Sequence, residues 1–271
     1  MGFMAEPSTR TIEDFGEQWQ HYSDTSGFWA SKELLRDITL PLLDPEEIAG
    51  TSVAEIGSGS GRIVNMLMGF KPRRVYALEP SDAGFQSLKI NTAQHGEQIE
   101  YLHCLGDQLP AGLDLDMVFS IGVIQFIPEP DSTLRAMYNA LKPGGRCLIW
   151  IYSVEGNEAY LRFALPLRRI TTRLPHPLLA GVCGVLNVAL TGYIALCRAL
   201  PLPMRDYMVG HLGKMSSSKR YLTIYDQLNP TYAKYHTRQE ARDLLEKAGF
   251  TDVQLHHRHG YSWTVCGKKP A

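Results

Sequence analysis

The chain has 271 residues, of which 44% are hydrophobic and 20% are charged, an ordinary balance for a globular protein. That length suits one large domain or one domain with an insertion. The net charge is −1, so no overall basic excess exists to bind nucleic acid through its phosphates. The five cysteines are scattered without a metal-ligand spacing, which predicts reduced thiols, no metal and a cytoplasmic location.

The first 50 residues contain two stretches with helical spacing, DFGEQWQHY and SKELLRDI. In the first stretch Phe15, Trp19 and Tyr22 recur at intervals of four and three residues, so they share one face of a helix. An aromatic face of this kind packs against the rest of a protein or covers a ligand. We therefore predict an N-terminal helical cap at 1–50.

Residues 51–154 alternate short apolar runs with helical patterns. Apolar strands that are separated by helices indicate a parallel sheet covered on both faces, so this region is α/β. The predicted strands are 53–57, 75–80, 99–106, 116–122 and 146–152, and the helices between them are 62–70, 81–96 and 130–141.

The pattern breaks at 155–235, where prolines and arginines surround an apolar run and no strand is evident. The run at 178–196, LLAGVCGVLNVALTGYIAL, is uncharged over nineteen residues, long enough to cross a bilayer. A single crossing is excluded, because strands before and after it must join one sheet. Its glycines and the flanking prolines favour shorter helical pieces, and we expect their apolar surface to be buried in the protein. The upstream arginines leave one alternative open, contact of 160–203 with an anionic membrane surface.

The α/β pattern returns at 236–271. Thr237 and Glu240 form a capping box at the start of TRQEARDLLEKAGF, and Gly249 ends that helix. The runs 252–260 and 261–269 are close enough to pair as an antiparallel hairpin, with the HHRH of 256–259 on a solvated face. The sheet domain is therefore predicted at 51–154 and 236–271, and a mostly helical insertion at 155–235.

The loop after the first strand reads AEIGSGSGRI. Its glycines, Gly57, Gly59 and Gly61, let the backbone approach a ligand and direct helix N-terminal amides toward it. Glu55 lies within the apolar first strand, where a buried carboxylate needs a cationic or hydrogen-bonding partner. Glu79 ends the second strand, a position from which a carboxylate can bind a ribose diol.

These features resemble the class I S-adenosylmethionine-dependent methyltransferases: E-x-G-x-G-x-G, an acidic residue ending the second strand, GD after the third and LKPGG before the fifth. The resemblance covers about 15–155 and 236–268. It implies a Rossmann-like seven-stranded sheet, S-adenosylmethionine as cofactor, S-adenosylhomocysteine as product and no metal. The layout is also similar to a bacterial subgroup of the type 11/12 kind, with FGxxW at its start and YDxLxPxYxxxHT near its end. Members of that subgroup are often thought to act on sugars, polysaccharide precursors or natural products.

The resemblance implies a role for each matched position. Glu55 and the glycine loop would hold the methionine part of the cofactor, and Glu79 its ribose hydroxyls. Asp107 would bind the adenine amino group, and Ile121 and Gly122 would flank the sulfonium. The implied cofactor-binding set is Glu55, Gly57, Ser58, Gly59, Gly61, Glu79, Pro80, Gly106, Asp107, Gln108, Ile121 and Gly122.

The catalytic candidates lie where the carboxyl edge of the sheet forms a site. Many relatives carry His where Gln125 stands, and Gln cannot act as a general base, although its amide can orient an acceptor. Tyr152 ends the fifth strand and His236 precedes the last helix, while His211 lies in the insertion. Each imidazole has an ordinary structural or solvated role as its alternative.

The predicted acceptor is a small molecule, because the segment after the fourth strand lacks the [DN]PP[YFW] motif of base methyltransferases. No Pro-Cys pair suggests a pyrimidine nucleophile either. Trp19 and Tyr22 would contact the acceptor if the cap folds over the cofactor, as in related enzymes. Arg205 and Arg220 would bind a phosphorylated or carboxylated acceptor, with solvation as the alternative.

Several functions are consistent with these residues. The favoured one is methyl transfer to a sugar, polysaccharide precursor or natural product, with the insertion as a lid. The alternative is an enzyme peripheral to the inner membrane that acts on a lipid-linked or hydrophobic acceptor. A non-catalytic S-adenosylmethionine-binding module remains, whereas an NAD(P) oxidoreductase is disfavoured because Arg62 stands where its loop needs the third glycine. Both a monomer and a dimer stay open.

Overall fold

A mixed sheet organises the residues that the computed structural model describes, which are 6–21 and 27–271. Its strands are β1 Ser52–Ile56, β2 Arg74–Leu78, β3 Ile99–Leu102, β4 Leu115–Ile121, β5 Leu141–Tyr152, β6 Thr251–Arg258 and β7 Ser262–Lys268. They lie in the order β3-β2-β1-β4-β5-β7-β6. Strands β1 to β5 are parallel, and β7 is antiparallel to both β5 and β6. The predicted seven-stranded sheet with a final antiparallel hairpin is confirmed.

Ten helices surround the sheet in the described ranges. They are α1 Glu6–His21, α2 Lys32–Thr39, α3 Arg62–Met68, α4 Asp82–Thr92, α5 Asp131–Ala140, α6 Glu158–Thr171, α7 His176–Ala199, α8 Arg205–Gly210, α9 Ser217–Leu228 and α10 Arg238–Lys247. Helices α1 and α2 precede the sheet, and α6 to α9 follow β5. The predicted helical cap and mostly helical insertion are therefore both present.

The strand order reverses at the centre of the sheet, because β1 lies between β2 and β4. In such sheets ligands bind in the crevice at the carboxyl ends of the strands, beside the point of reversal. Glu55, Ile121 and Tyr152 lie at the carboxyl ends of β1, β4 and β5. The topology therefore brings three of the predicted site residues to one edge.

Helix α7 runs without interruption from His176 to Ala199, so the prediction of shorter pieces is wrong. A Cβ at Gly181, Gly184 or Gly192 would meet nothing within 4 Å, so the packing does not require glycine at these positions. Each isolated glycine costs a helix only about 1 kcal/mol relative to alanine. The leucines and alanines between them, together with packing on α9, keep the helix intact.

One stripe of α7 is buried and the opposite face is open. The buried stripe consists of Leu179, Cys183, Ile194 and Cys197. The outer face carries Leu178, Val185, Val188 and Leu196, which are 59%, 72%, 75% and 53% exposed. By length and composition α7 is the one helix among the described residues that could cross a membrane, and 17% of its most apolar window is buried. The prediction that its apolar surface is buried holds for the stripe and is wrong for the outer face, because no described element covers that face.

Candidate active site

A cavity of about 900 Å³ opens at the carboxyl edge of the sheet, at the upper end of the size range of small-molecule sites. The loops after the strands form its floor, α1 one wall, and the insertion its roof. Ten of the twelve predicted cofactor-binding residues line it; they are Glu55, Gly57, Ser58, Gly59, Glu79, Pro80, Gly106, Asp107, Ile121 and Gly122. Gly61 and Gln108 are not among the lining residues.

The glycine loop packs tightly against its neighbours at Gly57 and Gly59. Gly57 has φ +73°, and a Cβ there would lie 2.6 Å from a methyl group of Val123. Gly59 has φ +51°, and a Cβ there would lie 3.0 Å from the ring of Trp19. Glycine is the residue that adopts such positive φ angles without strain. The loop is thus held between the end of β4 and the cap.

Glu55 is fully buried at the floor of the cavity. Neither carboxylate oxygen has a hydrogen-bond partner among the described residues. Burial raises the pKa of Glu55 to about 8, although Ser58 and Arg62 act in the opposite direction. An orphaned buried carboxylate is costly. A cationic group bound beside it would supply the missing partner.

Glu79 is fixed at the end of β2 by three donors. Its Oε2 accepts from the Gly59 amide at 2.8 Å, and its Oε1 accepts from the amide and hydroxyl of Ser81 at 3.0 and 2.6 Å. Burial raises its pKa. An ionised carboxylate offers about four lone-pair sites, so Glu79 can still accept from a ligand diol. Asp107 lies at the exposed rim of the same cavity.

Comparison with known proteins assigns this geometry to a family. Residues 54–149 match the family model described as a methyltransferase domain. The chain carries a class I S-adenosylmethionine-dependent methyltransferase domain. The matched residues include the glycine loop, Glu79 and the end of β4, which together form the floor of the cavity.

Curated relatives of the methyltransferase domain include bacterial enzymes. A ubiquinone biosynthesis O-methyltransferase of Pseudomonas putida is 26% identical over 134 residues, which are 48% of this chain and 56% of the relative. One of the same name from Aromatoleum aromaticum is 24% identical over 180 residues, 65% of this chain and 75% of the relative. The chain thus spans little more than half the length of the Pseudomonas relatives it matches.

Solved structures show the same fold at low identity. The 1,6-didemethyltoxoflavin-N1-methyltransferase of Burkholderia thailandensis, with its substrate and S-adenosylhomocysteine bound, is 14% identical with a TM-score of 0.56. That alignment covers 100% of this chain and 93% of the other. Human N-acetylserotonin methyltransferase in complex with S-adenosylmethionine is 15% identical with a TM-score of 0.53, over 98% of this chain and 59% of the other.

The residues of the cavity floor fit S-adenosylmethionine, the cofactor of this domain. The amino group of its methionine part is the kind of cation that Glu55 lacks, and its ribose diol suits Glu79. The tight glycine loop lets the backbone approach the cofactor. The described residues hold no group of three or more potential metal ligands in one place.

Proton release is expected when the methyltransferase domain binds its cofactor product. With a pKa of about 8, Glu55 is largely protonated at pH 7, and it becomes ionised when an ammonium group lies beside it. The affinity for S-adenosylhomocysteine should therefore rise as pH increases toward 8. Calorimetric titrations in buffers of different ionisation enthalpy measure the released proton, and Glu55→Gln should abolish it. The exposed control Glu97→Gln should release the proton as wild type does; a wild type without proton release would contradict this role of Glu55.

Two of the predicted catalytic residues line the cavity. The hydroxyl of Tyr152 accepts a hydrogen bond from Gln227 Nε2 at 2.8 Å, and burial raises its pKa well above the usual value. Tyr152 therefore stays protonated and can donate a hydrogen bond. His211 stacks on Tyr207 with ring centroids 5.3 Å apart. Burial lowers the His211 pKa to about 3, so its ring is neutral and weakly basic.

Gln125 and His236, the other two catalytic candidates, are not among the residues that line the cavity. Both are buried, and the His236 amide donates to the carbonyl of Tyr152 at 2.9 Å. Burial lowers the pKa of His236 to about 4. Their catalytic roles stay predictions that the cavity geometry does not support.

The predicted acceptor residues divide in the same way. Trp19 lines the cavity, whereas Tyr22 lies outside the described residues. Arg205 Nε donates to the carbonyl of Cys197 at 2.9 Å, and Arg220 Nη1 donates to that of Met215 at 2.7 Å. Neither arginine lines the cavity. These contacts satisfy backbone carbonyls within the insertion.

Four charged residues of the cavity were not predicted as site residues. They are Arg62, Glu129, Asp226 and Arg258. Arg258 is 2% exposed and pairs with Asp37, so the prediction of a solvated HHRH face is wrong at that position. The sequence offered one signal for Arg258, its place on a predicted strand, because a charged side chain that a sheet buries requires a partner.

Proposed function

We propose that the protein transfers the methyl group of S-adenosylmethionine to a hydroxyl of a small molecule with a large apolar part. The observation that carries this proposal is the contrast between the floor and the roof of the cavity. The roof, contributed by the insertion, includes Leu167, Leu186, Leu190, Met208, Leu212 and Met215. Side chains of this kind favour an apolar ligand surface, while Tyr207, His211 and Asp226 of the same roof leave polar groups for one end of the ligand.

The chemistry needs little from the protein beyond alignment. The sulfonium of the cofactor supplies an activated methyl group, so the cavity has to orient an acceptor and exclude water. Transfer to oxygen is supported by the name of the Pseudomonas relatives, ubiquinone biosynthesis O-methyltransferase. The aromatic side chains Phe15 and Trp19 close the cavity beside the glycine loop.

Labelled methyl transfer tests the proposal. The protein is incubated with S-adenosylmethionine labelled in the methyl group and with an extract of the source cell, and products are separated by partition. We expect label in compounds that enter the organic phase and that lose it on ether cleavage. Label confined to water-soluble sugars would contradict the apolar acceptor, and no incorporation would contradict methyl transfer.

Membrane attachment is a second candidate, favoured by the open face of α7. The segment 159–205, which contains this helix, has six arginines and no acidic residue, on a chain of net charge −1. An apolar face flanked by arginines suits an anionic lipid surface. The inner side of the same helix contributes Leu186 and Leu190 to the cavity. An acceptor dissolved in lipid could then enter below this helix.

Vesicle binding distinguishes lipid contact from self-association. We expect the protein to co-sediment with vesicles containing phosphatidylglycerol at low salt, and much less with phosphatidylcholine vesicles. The double variant Val185→Glu, Val188→Glu changes two residues that are 72% and 75% exposed and should abolish binding while the protein stays folded. Absence of wild-type binding, together with a dimer that the double variant dissociates in gel filtration, would show that α7 contacts a second copy instead.

A further inference from the structure

We propose that Asp226 on α9 is the group that accepts the proton of the acceptor hydroxyl during methyl transfer. This inference rests on the proposed function and adds a catalytic residue to it. Asp226 lines the cavity together with Glu55, Ile121 and Gly122 of the cofactor floor. It belongs to the insertion, which forms the roof of the cavity opposite the cofactor floor.

Gln227, the residue after Asp226, fixes the last turn of α9 to the sheet. Gln227 Nε2 donates to the hydroxyl of Tyr152 at 2.8 Å, and Tyr152 ends β5 at the carboxyl edge. The hydroxyl of Tyr235 donates to Gln227 Oε1 at 2.9 Å, and Arg168 Nε donates to the Gln227 carbonyl at 2.8 Å. Asp226 therefore has a defined position beside the strand ends.

The carboxylate of Asp226 is oriented from the opposite wall. Gln18 Nε2 on α1 donates to Asp226 Oδ1. The neighbouring Trp19 lies against Gly59, so α1 passes over the glycine loop at this point. Within the described residues Oδ2 has no recorded hydrogen bond, which leaves it for an acceptor hydroxyl. Gln18 is a positioning residue.

Charged and titratable groups from four elements surround Asp226. Arg62 on α3 favours its ionised form, and the Tyr152 hydroxyl and the Cys183 thiol are neutral neighbours on β5 and α7. Arg168 on α6 is held by Gln227 and lies over the Tyr235 ring. Burial outweighs the effects of the Gln18 hydrogen bond and the Arg62 charge and raises the pKa of Asp226 to about 7. A carboxylate with that pKa is a good proton acceptor near neutral pH.

Other titratable groups of the cavity are less suited to this step. Burial raises the pKa of Tyr152, and of Tyr207 above its usual range, so both keep their protons. His211 has a pKa of about 3 and binds a proton too weakly. Glu55 and Glu79 lie on the cofactor floor and are engaged there. Asp107 and Glu129 are exposed, which leaves Asp226 as the half-buried carboxylate on the acceptor side among the described residues.

The step balances with a single proton transfer. As a bond forms between the acceptor oxygen and the methyl carbon, the bond from that carbon to sulfur breaks, and its electron pair stays on sulfur. The hydroxyl proton moves to Asp226 Oδ2. Asp226 returns the proton to water when the products leave, so no further reactant is required.

Asp226→Asn tests the step with 4-hexylcatechol, a probe that combines a hydroxyl with an apolar tail. We expect kcat to fall by about 100-fold or more, while KM and the dissociation constant of S-adenosylhomocysteine change by less than about twofold. The wild-type kcat should rise with pH through about 7, and this rise should disappear in the variant. Asp206→Asn is the matched control, because it removes the same charge from a fully exposed side chain of the insertion.

Two further readouts separate catalysis from a structural role. Gln18→Leu keeps Asp226 but removes a donor that lowers its pKa, so the rise in kcat should move to higher pH and activity should recover there. Infrared difference spectra of wild type minus Asp226→Asn, without cofactor, should show a protonated carboxyl that titrates near pH 7.

Each outcome has one meaning. An unchanged pH profile in Asp226→Asn, or an infrared midpoint near the ordinary aspartate value, would overturn the role of Asp226. Cofactor binding without transfer to 4-hexylcatechol would contradict the proposed acceptor. Failure to bind S-adenosylhomocysteine would instead overturn the proposed function.

Discussion

Replacing Glu79 by alanine is expected to weaken S-adenosylhomocysteine binding by about 100-fold. Hydrogen bonds to a charged group are worth about 1.5–3 kcal/mol each, and about 1.4 kcal/mol corresponds to a tenfold change in affinity. The Glu79 carboxylate would accept hydrogen bonds from the ribose diol, and it already accepts hydrogen bonds from the Gly59 and Ser81 amides. The variant therefore loses both the ligand contact and the anchor of the glycine loop.

Calorimetry at constant pH measures this effect. Glu100→Ala is the matched control, because Glu100 is an exposed glutamate of the neighbouring strand paired with Arg74. The control should bind as wild type does. If Glu79→Ala also retained wild-type affinity, the cofactor would have to bind elsewhere than at the end of β2.

Replacing Arg258 by methionine is expected to destabilise the protein by about 3 kcal/mol, the lower end of the range for breaking a buried ion pair. Arg258 is 2% exposed, donates to the Asp37 carboxylate and carbonyl, and donates to the Tyr261 hydroxyl at 2.6 Å. The lower end applies because the Asp37 side chain is 32% exposed, so its charge stays partly hydrated when the guanidinium is removed. Thermal and urea denaturation measure the loss.

The pH dependence of this pair has a defined sign. Burial opposes ionisation of Asp37, but the charge and hydrogen bonds of Arg258 outweigh it and lower the Asp37 pKa. The stabilisation is present above the ordinary aspartate pKa of about 4 and is lost as pH falls below it. The difference between wild type and Arg258→Met should therefore shrink in acid. Arg74→Met, which breaks an exposed pair, should cost less than about 1 kcal/mol at any pH; equal losses in the two variants would contradict the buried pair.

The sheet and the cofactor floor could be predicted because their signals are local. Strands that are apolar on both faces identify a covered parallel sheet, and the spacing from Glu55 through Gly61 covers only the end of one strand and the loop after it. Glu79 follows from its place at the end of the next strand. Each of these residues is positioned by the strand or loop in which it lies.

The acceptor side could not be predicted because its contacts join distant segments. Asp226 meets Gln18 across 208 positions, and Arg258 meets Asp37 across 221. Helical spacing within the insertion shows that a helix forms but not which side faces the cavity. For α7 the composition predicted burial, whereas the residues that the structure describes bury one stripe of this helix and leave its outer face exposed.

Titration of the wild-type protein with S-adenosylhomocysteine tests most directly that the cavity floor is a methyltransferase cofactor site. We predict one molecule bound per chain, with proton release near pH 7 from Glu55 and about 100-fold weaker binding in Glu79→Ala. No detectable binding to the folded protein, or the same affinity in wild type and Glu79→Ala, would contradict it.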